Sequence, residues 1–209
     1  MHPSVAALRS QFGDAVGQAH VSCGDTYVYV DPAKNLDILR WLKETAGQDY
    51  NYLVDVTAVE YRDVERLLEV VYELFSLKRN VPLRVKAVLE DRVNPEIDSI
   101  VPLWRSADWL EREVYDMFGV TFRGHPDLRR ILMWETYAEG YPLRKDFPLR
   151  GRFSRSEQVR QALNANPEAH YSMEELAIAE TNYDLPLDMR DRLRRGERGT
   201  VPDPEEKSR

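Results

Sequence analysis

Three strand-like segments joined by short links constrain the fold of this chain more than any other feature. They cover residues 50–61, 67–77 and 83–90, and all three are rich in strand-forming residues. Links this short favour antiparallel pairing, because a parallel crossover needs a dozen or more residues. In the third segment apolar and charged residues alternate, which predicts one face against a core and one face that is solvated or paired with charge.

Segments with other periodicities flank these strands. A further strand is predicted over residues 26–30, and helical spacing predicts helices over residues 5–12, 32–46, 95–101 and 106–118. The expected fold class is therefore α+β: a small mixed or antiparallel sheet with helices packed on one face. We expect this domain to span residues 1–150.

The remaining residues, 151–209, are expected to form an extended tail with short helices that wraps around a partner. Ser172 and Glu175 form a capping box, which predicts a helix over residues 172–181. Beyond Gly196 no apolar periodicity remains, so this end is expected to be extended or disordered.

The bulk composition excludes several classes of protein. The net charge is −7, which disfavours nucleic-acid binding, although residues 123–155 hold eight basic and four acidic residues. No run of 18 apolar residues exists and the N-terminus lacks signal-peptide features, so we expect no membrane-spanning helix. A single cysteine, Cys23, excludes an internal disulfide and a cluster held by thiolates of this chain.

Motifs for nucleotide and metal binding are absent from the sequence. No glycine-rich loop has the spacing of a dinucleotide or phosphate site. The four histidines are scattered, and no two of them have the i, i+4 spacing that places two imidazoles on one helical face. We therefore predict no cofactor and no metal ion bound by this chain.

The charged helix over residues 106–118 is the strongest candidate for a functional element. Asp108, Arg112 and Asp116 recur every four residues, which predicts a charge ladder that is either solvated or paired at an interface. Glu111 and Glu113 are two apart and point to different sides, so they cannot form a general acid–base pair by themselves. A catalytic carboxylate on this helix is the alternative.

A Gly-His-Pro-Asp turn follows this helix. We interpret Asp127 as a cap for the short turn after it. A co-chaperone loop with the same three residues, and a phosphate-binding function for the basic stretch, are weaker alternatives because basic helices and interleaved aromatic residues are missing.

Three sequence blocks occur in a fixed order in this region: EREVYDMFGV at 111–120, GHPDLRRILM at 124–133 and GYPLRKDFPL at 140–149. Together they resemble the C subunit family of NADH-quinone oxidoreductase, the 30 kDa subunit of respiratory complex I. The likeness extends more weakly upstream, through YLVDVTAVEY, LEVVYELFSL and PLRVKAVLE, and covers roughly residues 20–150.

The resemblance implies a non-catalytic structural subunit of the peripheral arm, on the cytoplasmic face of the inner membrane. Its partners would be subunits D, B and I of that complex, chiefly the first of these, while FMN, iron-sulfur clusters and quinone would be bound by partner subunits. No catalytic, cofactor-binding or metal-binding residue is assigned to this chain. The residues expected at the interface are Asp108, Glu111, Arg112, Glu113, Tyr115, Asp116, His125, Asp127, Arg129, Arg144, Lys145 and Asp146.

Three alternatives remain open at this point. The chain could be the equivalent subunit of a membrane-bound hydrogenase or of a quinone reductase driven by ferredoxin or another donor. It could be a stand-alone hydrolase that uses Glu113 or Asp116, or a soluble adaptor unrelated to respiration.

Overall fold

The structure is a computed structural model that describes residues 2–61, 68–149, 151–153 and 155–165. The chain divides into two units, residues 1–154 and 155–209. In the second unit the structure describes one helix, α4 (Arg155–Ala165). The predicted domain boundary after residue 150 stays a prediction, and the predicted helix over 172–181 and the predicted extended end lie outside the described residues.

A five-stranded sheet organises the first unit. Its strands are β1 (Val16–Ser22), β2 (Asp25–Val30), β3 (Tyr52–Glu60), β4 (Leu68–Ser76) and β5 (Val81–Leu89). Their spatial order is β1-β2-β5-β4-β3, and the pairing is antiparallel except between β2 and β5, which run parallel. The sheet is therefore mixed, and the predicted α+β class is confirmed.

Alternation along β5 produces the two different faces that the sequence predicts. Leu83, Val85, Ala87 and Leu89 are buried in the hydrophobic core. On the opposite face the Lys86 ammonium lies 3.0 Å from a carboxylate oxygen of the fully buried Glu69, and Arg84 pairs with Glu73. The charged face is thus neutralised by pairing across the β4–β5 ladder.

Three helices complete the core. They are α1 (Pro3–Phe12), α2 (Asn35–Glu44) and α3 (Ala107–Phe118). Their apolar stripes bury Leu8 from α1, Leu39 from α2 and Val114 from α3 in the same cluster as the strand residues. The predicted helix over 32–46 is confirmed, although its first turn, Pro32–Lys34, is a 3-10 helix.

The predicted helix over residues 95–101 is wrong. Glu96–Asp98 forms a short strand, β6, which pairs in parallel with β7 (Thr121–Arg123). Ile97 and Ile100 are both buried at a spacing of three, but a strand followed by a turn produces the same spacing as a helix. The edge strand β1 was not predicted either, because most of its residues are exposed and its sequence lacks an apolar pattern.

Helix α3 ends where the following loop returns to it. Gly119 adopts a left-handed conformation with φ of +78°, and a Cβ atom there would overlap the ring of Tyr141. The backbone N–H of Leu143 donates to the carbonyl of Met117 at 3.0 Å. The loop of residues 124–149 is therefore anchored against α3.

No helix among the described residues is long and apolar enough to cross a membrane.

Candidate functional site

Asp116 on α3 is the anchor of the loop that follows the helix. Its side chain is fully buried, and Oδ1 accepts a hydrogen bond from Arg130 Nη1 at 2.6 Å. The other oxygen, Oδ2, accepts three successive backbone N–H groups, from Ile131 at 3.1 Å and from Leu132 and Met133 at 2.8 Å each. One carboxylate thus fixes the backbone of residues 131–133 by filling an anion-binding concavity made of N–H groups.

The environment of Asp116 favours its ionised form. Burial by itself acts to raise its pKa, but the hydrogen bonds from Met133, Arg130, Ile131 and Leu132 outweigh burial and hold the pKa below its ordinary value. Both oxygens are used by these contacts. The carboxylate is therefore not available to act on a substrate, which removes Asp116 as the nucleophile or base of a hydrolase.

Arg112 holds the same loop from the other direction. Its Nε donates to the carbonyl of Arg129 at 3.2 Å, its Nη2 donates to the carbonyl of Arg130 at 3.1 Å, and its guanidinium lies 5.3 Å from the centre of the Trp109 ring. The predicted ladder of Asp108, Arg112 and Asp116 is therefore wrong. Helical spacing places the three on one side, but Arg112 and Asp116 bind residues 129–133, and Asp108 lies beside His125.

Glu111 and Glu113 point to different sides of α3, as predicted. Glu113 is exposed, whereas Glu111 is fully buried and links α3 to the segment before it. The Ser99 hydroxyl donates to Oε2 of Glu111 at 2.6 Å, and the Ile100 N–H donates to Oε1 at 2.7 Å. Burial, opposed by these two hydrogen bonds and assisted by Asp108, raises the pKa of Glu111 to about 7.

His125 packs beside Glu111 with a fully buried side chain. Its Nδ1 accepts the N–H of Asp127 at 3.0 Å, so the neutral ring carries its proton on Nε2. Nε2 lies 3.2 Å from the carbonyl of Asp108 and 4.0 Å from Oε2 of Glu111. The ring therefore joins the Gly-His-Pro-Asp turn to the first turn of α3.

The predicted capping role of Asp127 is wrong. Its carboxylate accepts from Nε of Arg129 at 2.8 Å on the surface, and the histidine ring takes the capping position instead. A weak signal for this existed in the sequence, since Pro126 fixes the backbone φ between the two residues and has no N–H of its own to cap.

A pH-dependent stability is expected from Glu111. Since its pKa is about 7 in the folded chain and ordinarily 4.5, its contribution to stability is fully present below pH about 4.5 and is lost as the pH rises to about 7. This loss amounts to about 3 kcal/mol. Glu111→Gln stays neutral and can keep both hydrogen bonds, so at pH 8 it should be more stable than the wild type by up to about 3 kcal/mol.

Urea unfolding at pH 4.5 and pH 8 measures this difference. The variant should gain on the wild type only at the higher pH, while the exposed Glu113→Gln should track the wild type at both. Equal pH slopes for Glu111→Gln and the wild type would contradict the assignment.

The basic segment after Gly140 is anchored by Glu60 at the end of β3. Arg144 is mostly buried; it donates to the carbonyls of Phe118 at 3.2 Å and Arg92 at 2.6 Å, and its Nε lies 3.6 Å from Oε1 of Glu60. The other Glu60 oxygen accepts the N–H of Lys145 at 2.5 Å. Arg144 thus faces the interior, whereas the side chains of Lys145 and Asp146 are exposed.

The predicted interface residues fall into two groups. Glu111, Arg112, Asp116, His125 and Arg144 make internal contacts that position the loop, as described above. Asp108 and Tyr115 are partly exposed, and the exposed members are Glu113, Asp127, Arg129, Lys145 and Asp146. Whether this second group contacts a partner stays a prediction.

Sequence reasoning missed Arg130, Glu60 and Ser99, which are the partners of the buried charges. For Glu60 a signal existed, since it continues the core-facing register of Val56 and Ala58 and is a carboxylate in an apolar row. For Arg130 and Ser99 no local signal existed.

Among the described residues no group of three or more histidine, cysteine, aspartate or glutamate side chains is placed to hold a metal ion.

Apolar side chains are exposed on the same elements that these buried charges fix. Trp109 on α3 is 62% exposed, and Leu132 and Leu143 in the loop are 60% and 52% exposed. Each of them neighbours an anchored position: Arg112 stacks on Trp109, Asp116 binds the N–H of Leu132, and Met117 accepts the N–H of Leu143. These three residues are called the apolar docking residues below.

Comparisons with known proteins match this region of the chain. The family model of the 30 kDa subunit of respiratory-chain NADH dehydrogenase matches residues 28–153. A protein of Rhizobium etli, named as the second C subunit of NADH-quinone oxidoreductase, is 42% identical over 146 residues, covering 70% of this chain and 76% of its own. The C subunit from Citrifermentans bemidjiense is 43% identical over 148 residues, covering 71% and 89%.

Two solved structures share the fold. A trypsin-resistant fragment of Nqo5, residues 1–134, superposes with a TM-score of 0.51 at 28% identity, covering 60% of this chain and 96% of the fragment. A chain of an archaeal membrane-bound sulfane sulfur reductase superposes with a TM-score of 0.59, covering 88% of this chain and 95% of that one, but at 21% identity. The matched family region includes all three sequence blocks, and the chain therefore belongs to the 30 kDa subunit family of respiratory-chain NADH dehydrogenase, whose similar bacterial members are named as C subunits of NADH-quinone oxidoreductase.

Proposed function

We propose that this chain is a non-catalytic structural subunit in the peripheral arm of a proton-translocating NADH-quinone oxidoreductase, where it braces the quinone-reducing D subunit. Family membership and the names of the similar proteins support assembly into such a complex. The observation that carries the bracing role is the use of the buried charges. Glu111, Asp116 and Arg144 each bind backbone groups of this chain, so these buried charges fix the shape of its surface.

Internal anchoring gives the outer surface a fixed shape. With the loop of residues 124–149 tied to α3 and β3, the apolar docking residues are presented on a rigid support rather than on a free loop. Exposed large apolar side chains held in this way are typical of protein interfaces, because burying them releases water at little cost in conformational entropy. The exposed Lys145 and Arg129 would supply charged contacts at the rim.

The electron-transfer groups would belong to other subunits. FMN, iron-sulfur clusters and quinone are bound by neighbours in this proposal, and subunits B and I lie nearby as further partners. The single cysteine, Cys23, is exposed at the turn between β1 and β2, which cannot supply the thiolate set of a cluster. The assembly would lie on the cytoplasmic face of the inner membrane.

A related complex with another electron donor is the second candidate. The chain from the sulfane sulfur reductase complex shares the fold, so this type of domain also occurs in a respiratory membrane complex that is named for another activity. A flavin subunit that oxidises NADH in the purified assembly would favour NADH-quinone oxidoreductase, and its absence would favour the alternative.

Charged substitutions of the apolar docking residues test the bracing role. We expect Leu132→Asp and Leu143→Asp each to reduce the amount of assembled complex on native gels at least about tenfold, because a charge would be buried at the interface. Val21→Asp, at a 71% exposed position on β1, is the matched control and should assemble normally. Equal cellular amounts of each variant chain would show that folding is intact. Normal assembly of both loop variants would contradict the proposal.

A further inference from the structure

A pocket lined by arginine and aromatic side chains opens beside the anchored loop, and two of its arginines, Arg92 and Arg144, also pair with the buried Glu60. Its volume is about 640 Å³, within the range of pockets that hold ligands or side chains of a partner. Its lining includes Arg92, Tyr141, Arg144, Asp146, Phe147 and Arg152.

The guanidinium groups of this pocket differ in how many hydrogen bonds and ion pairs they already form within the chain. Arg144 is 12% exposed and is occupied by the two carbonyls and Glu60. Arg92 is 40% exposed and uses Nη2 for Glu60, at 3.0 Å, which leaves its other N–H groups free to bind a second acceptor. The exposed Arg152 lies 6.0 Å from the centre of the Phe147 ring and forms no ion pair with any residue that the structure describes.

Buried carboxylates hold the walls in place from behind. Glu60 binds Arg92 and Arg144, and Oε2 of the buried Glu139 accepts the backbone N–H of Arg152 at 2.8 Å. The carboxylate within the pocket itself, Asp146, is 65% exposed and lies 3.8 Å from Nε of Arg144. The pocket is therefore pre-formed, and the guanidinium groups of Arg92 and Arg152 can still bind an acceptor, since Arg144 is taken up by Glu60 and the two carbonyls.

We infer that this pocket binds an aspartate or glutamate side chain from an acidic segment of a partner polypeptide. A carboxylate matches the fork of N–H donors that an arginine presents, and the aromatic walls suit the aliphatic part of such a side chain. The chain as a whole carries a net charge of −7, which repels an acidic partner from most of its surface. The guanidinium groups of the pocket attract such a partner to this one place. This inference rests on the proposed function, since it assumes that the chain is held in a complex.

A polypeptide fits the pocket better than an anionic membrane surface does. Tyr141 and Phe147 line the pocket together with the guanidinium groups, and a concave site of this volume takes up a protruding side chain rather than a flat array of headgroups. Membrane attachment is therefore an outcome of the test and not part of the inference.

Carbodiimide cross-linking in the intact complex identifies the occupant. Arg152→Lys places an amine in the pocket, and the reagent joins an amine to a carboxylate only when the two are in contact. We expect mass spectrometry to find this amine joined to an aspartate or glutamate of another subunit. Arg105→Lys, at an exposed position on the segment before α3, should give no such product.

A charge reversal measures the strength of the contact. Arg152→Glu should raise the rate at which the tagged chain leaves the complex in mild detergent at least about tenfold, whereas Arg105→Glu should leave the rate unchanged. Cross-links only to carboxylates of this chain, or no cross-link at all, would overturn the inference. It would also be overturned if Arg152→Glu reduced the binding of the complex to anionic lipid vesicles while Arg152→Lys gave no cross-link to another subunit. Co-purification of the wild-type complex in those cases would leave the proposed function standing.

Discussion

Asp116→Ala is expected to lower the free energy of unfolding by about 3–5 kcal/mol. The change removes the partner of the mostly buried Arg130 and leaves three backbone N–H groups of residues 131–133 without an acceptor. Each unsatisfied buried donor costs about 1–3 kcal/mol, although local relaxation and water recover part of the sum. Urea unfolding of the full chain at pH 7 measures the loss.

Glu113→Ala is the control for this prediction. It lies on the same helix, is exposed, and forms no hydrogen bond or ion pair with the part of the loop that the structure describes, so its effect should stay within about 0.5 kcal/mol. Similar losses for the two variants would show that the carboxylate of Asp116 does not anchor the loop.

The second large effect is expected at Arg144, whose replacement leaves a buried carboxylate without one of its cations. Arg144→Met should destabilise the chain by about 3–5 kcal/mol, because Glu60 is fully buried and would keep only Arg92 as an ion-pair partner. Adding Glu60→Gln should recover part of that loss, since the amide carries no charge. The free energies of unfolding of the two single variants and the double variant give the coupling between the groups.

Lys145→Met provides the matched control for Arg144. Lys145 contributes its backbone N–H to Glu60, and this contact does not depend on the side chain, which is exposed. Its replacement should therefore change stability by less than about 0.5 kcal/mol. A coupling energy near zero between Glu60 and Arg144 would contradict the account of this anchor.

The sequence predicts the central strands well because their signal is local. In β5 the alternation of Leu83, Arg84, Val85 and Lys86 predicts both the strand and which side chains lie on each face, and the structure confirms both. Strand β6 could not be recognised in this way, since its three residues are too few to show a period. Glu96–Asp98 forms a strand because it pairs with β7, in which each partner residue lies 25 positions later in the sequence.

The candidate site shows the same division between local and distant information. Helical geometry correctly separated Glu111 from Glu113, because both lie on one regular element. It failed for Arg112 and Asp116, whose partners lie 14 to 18 residues away in an irregular loop. It also could not find the contact between Glu60 and the N–H of Lys145, which are 85 residues apart. The predicted function came from the resemblance to a known family and not from residue spacing.

Mild-detergent purification of the tagged chain from membranes of its own organism tests the central claim most directly. We predict that the quinone-reducing D subunit, the iron-sulfur subunits and a flavin subunit that oxidises NADH co-purify with the chain, and that the isolated assembly reduces quinone with NADH. Recovery of the chain alone, or in an assembly without an NADH-oxidising flavin subunit, would contradict it.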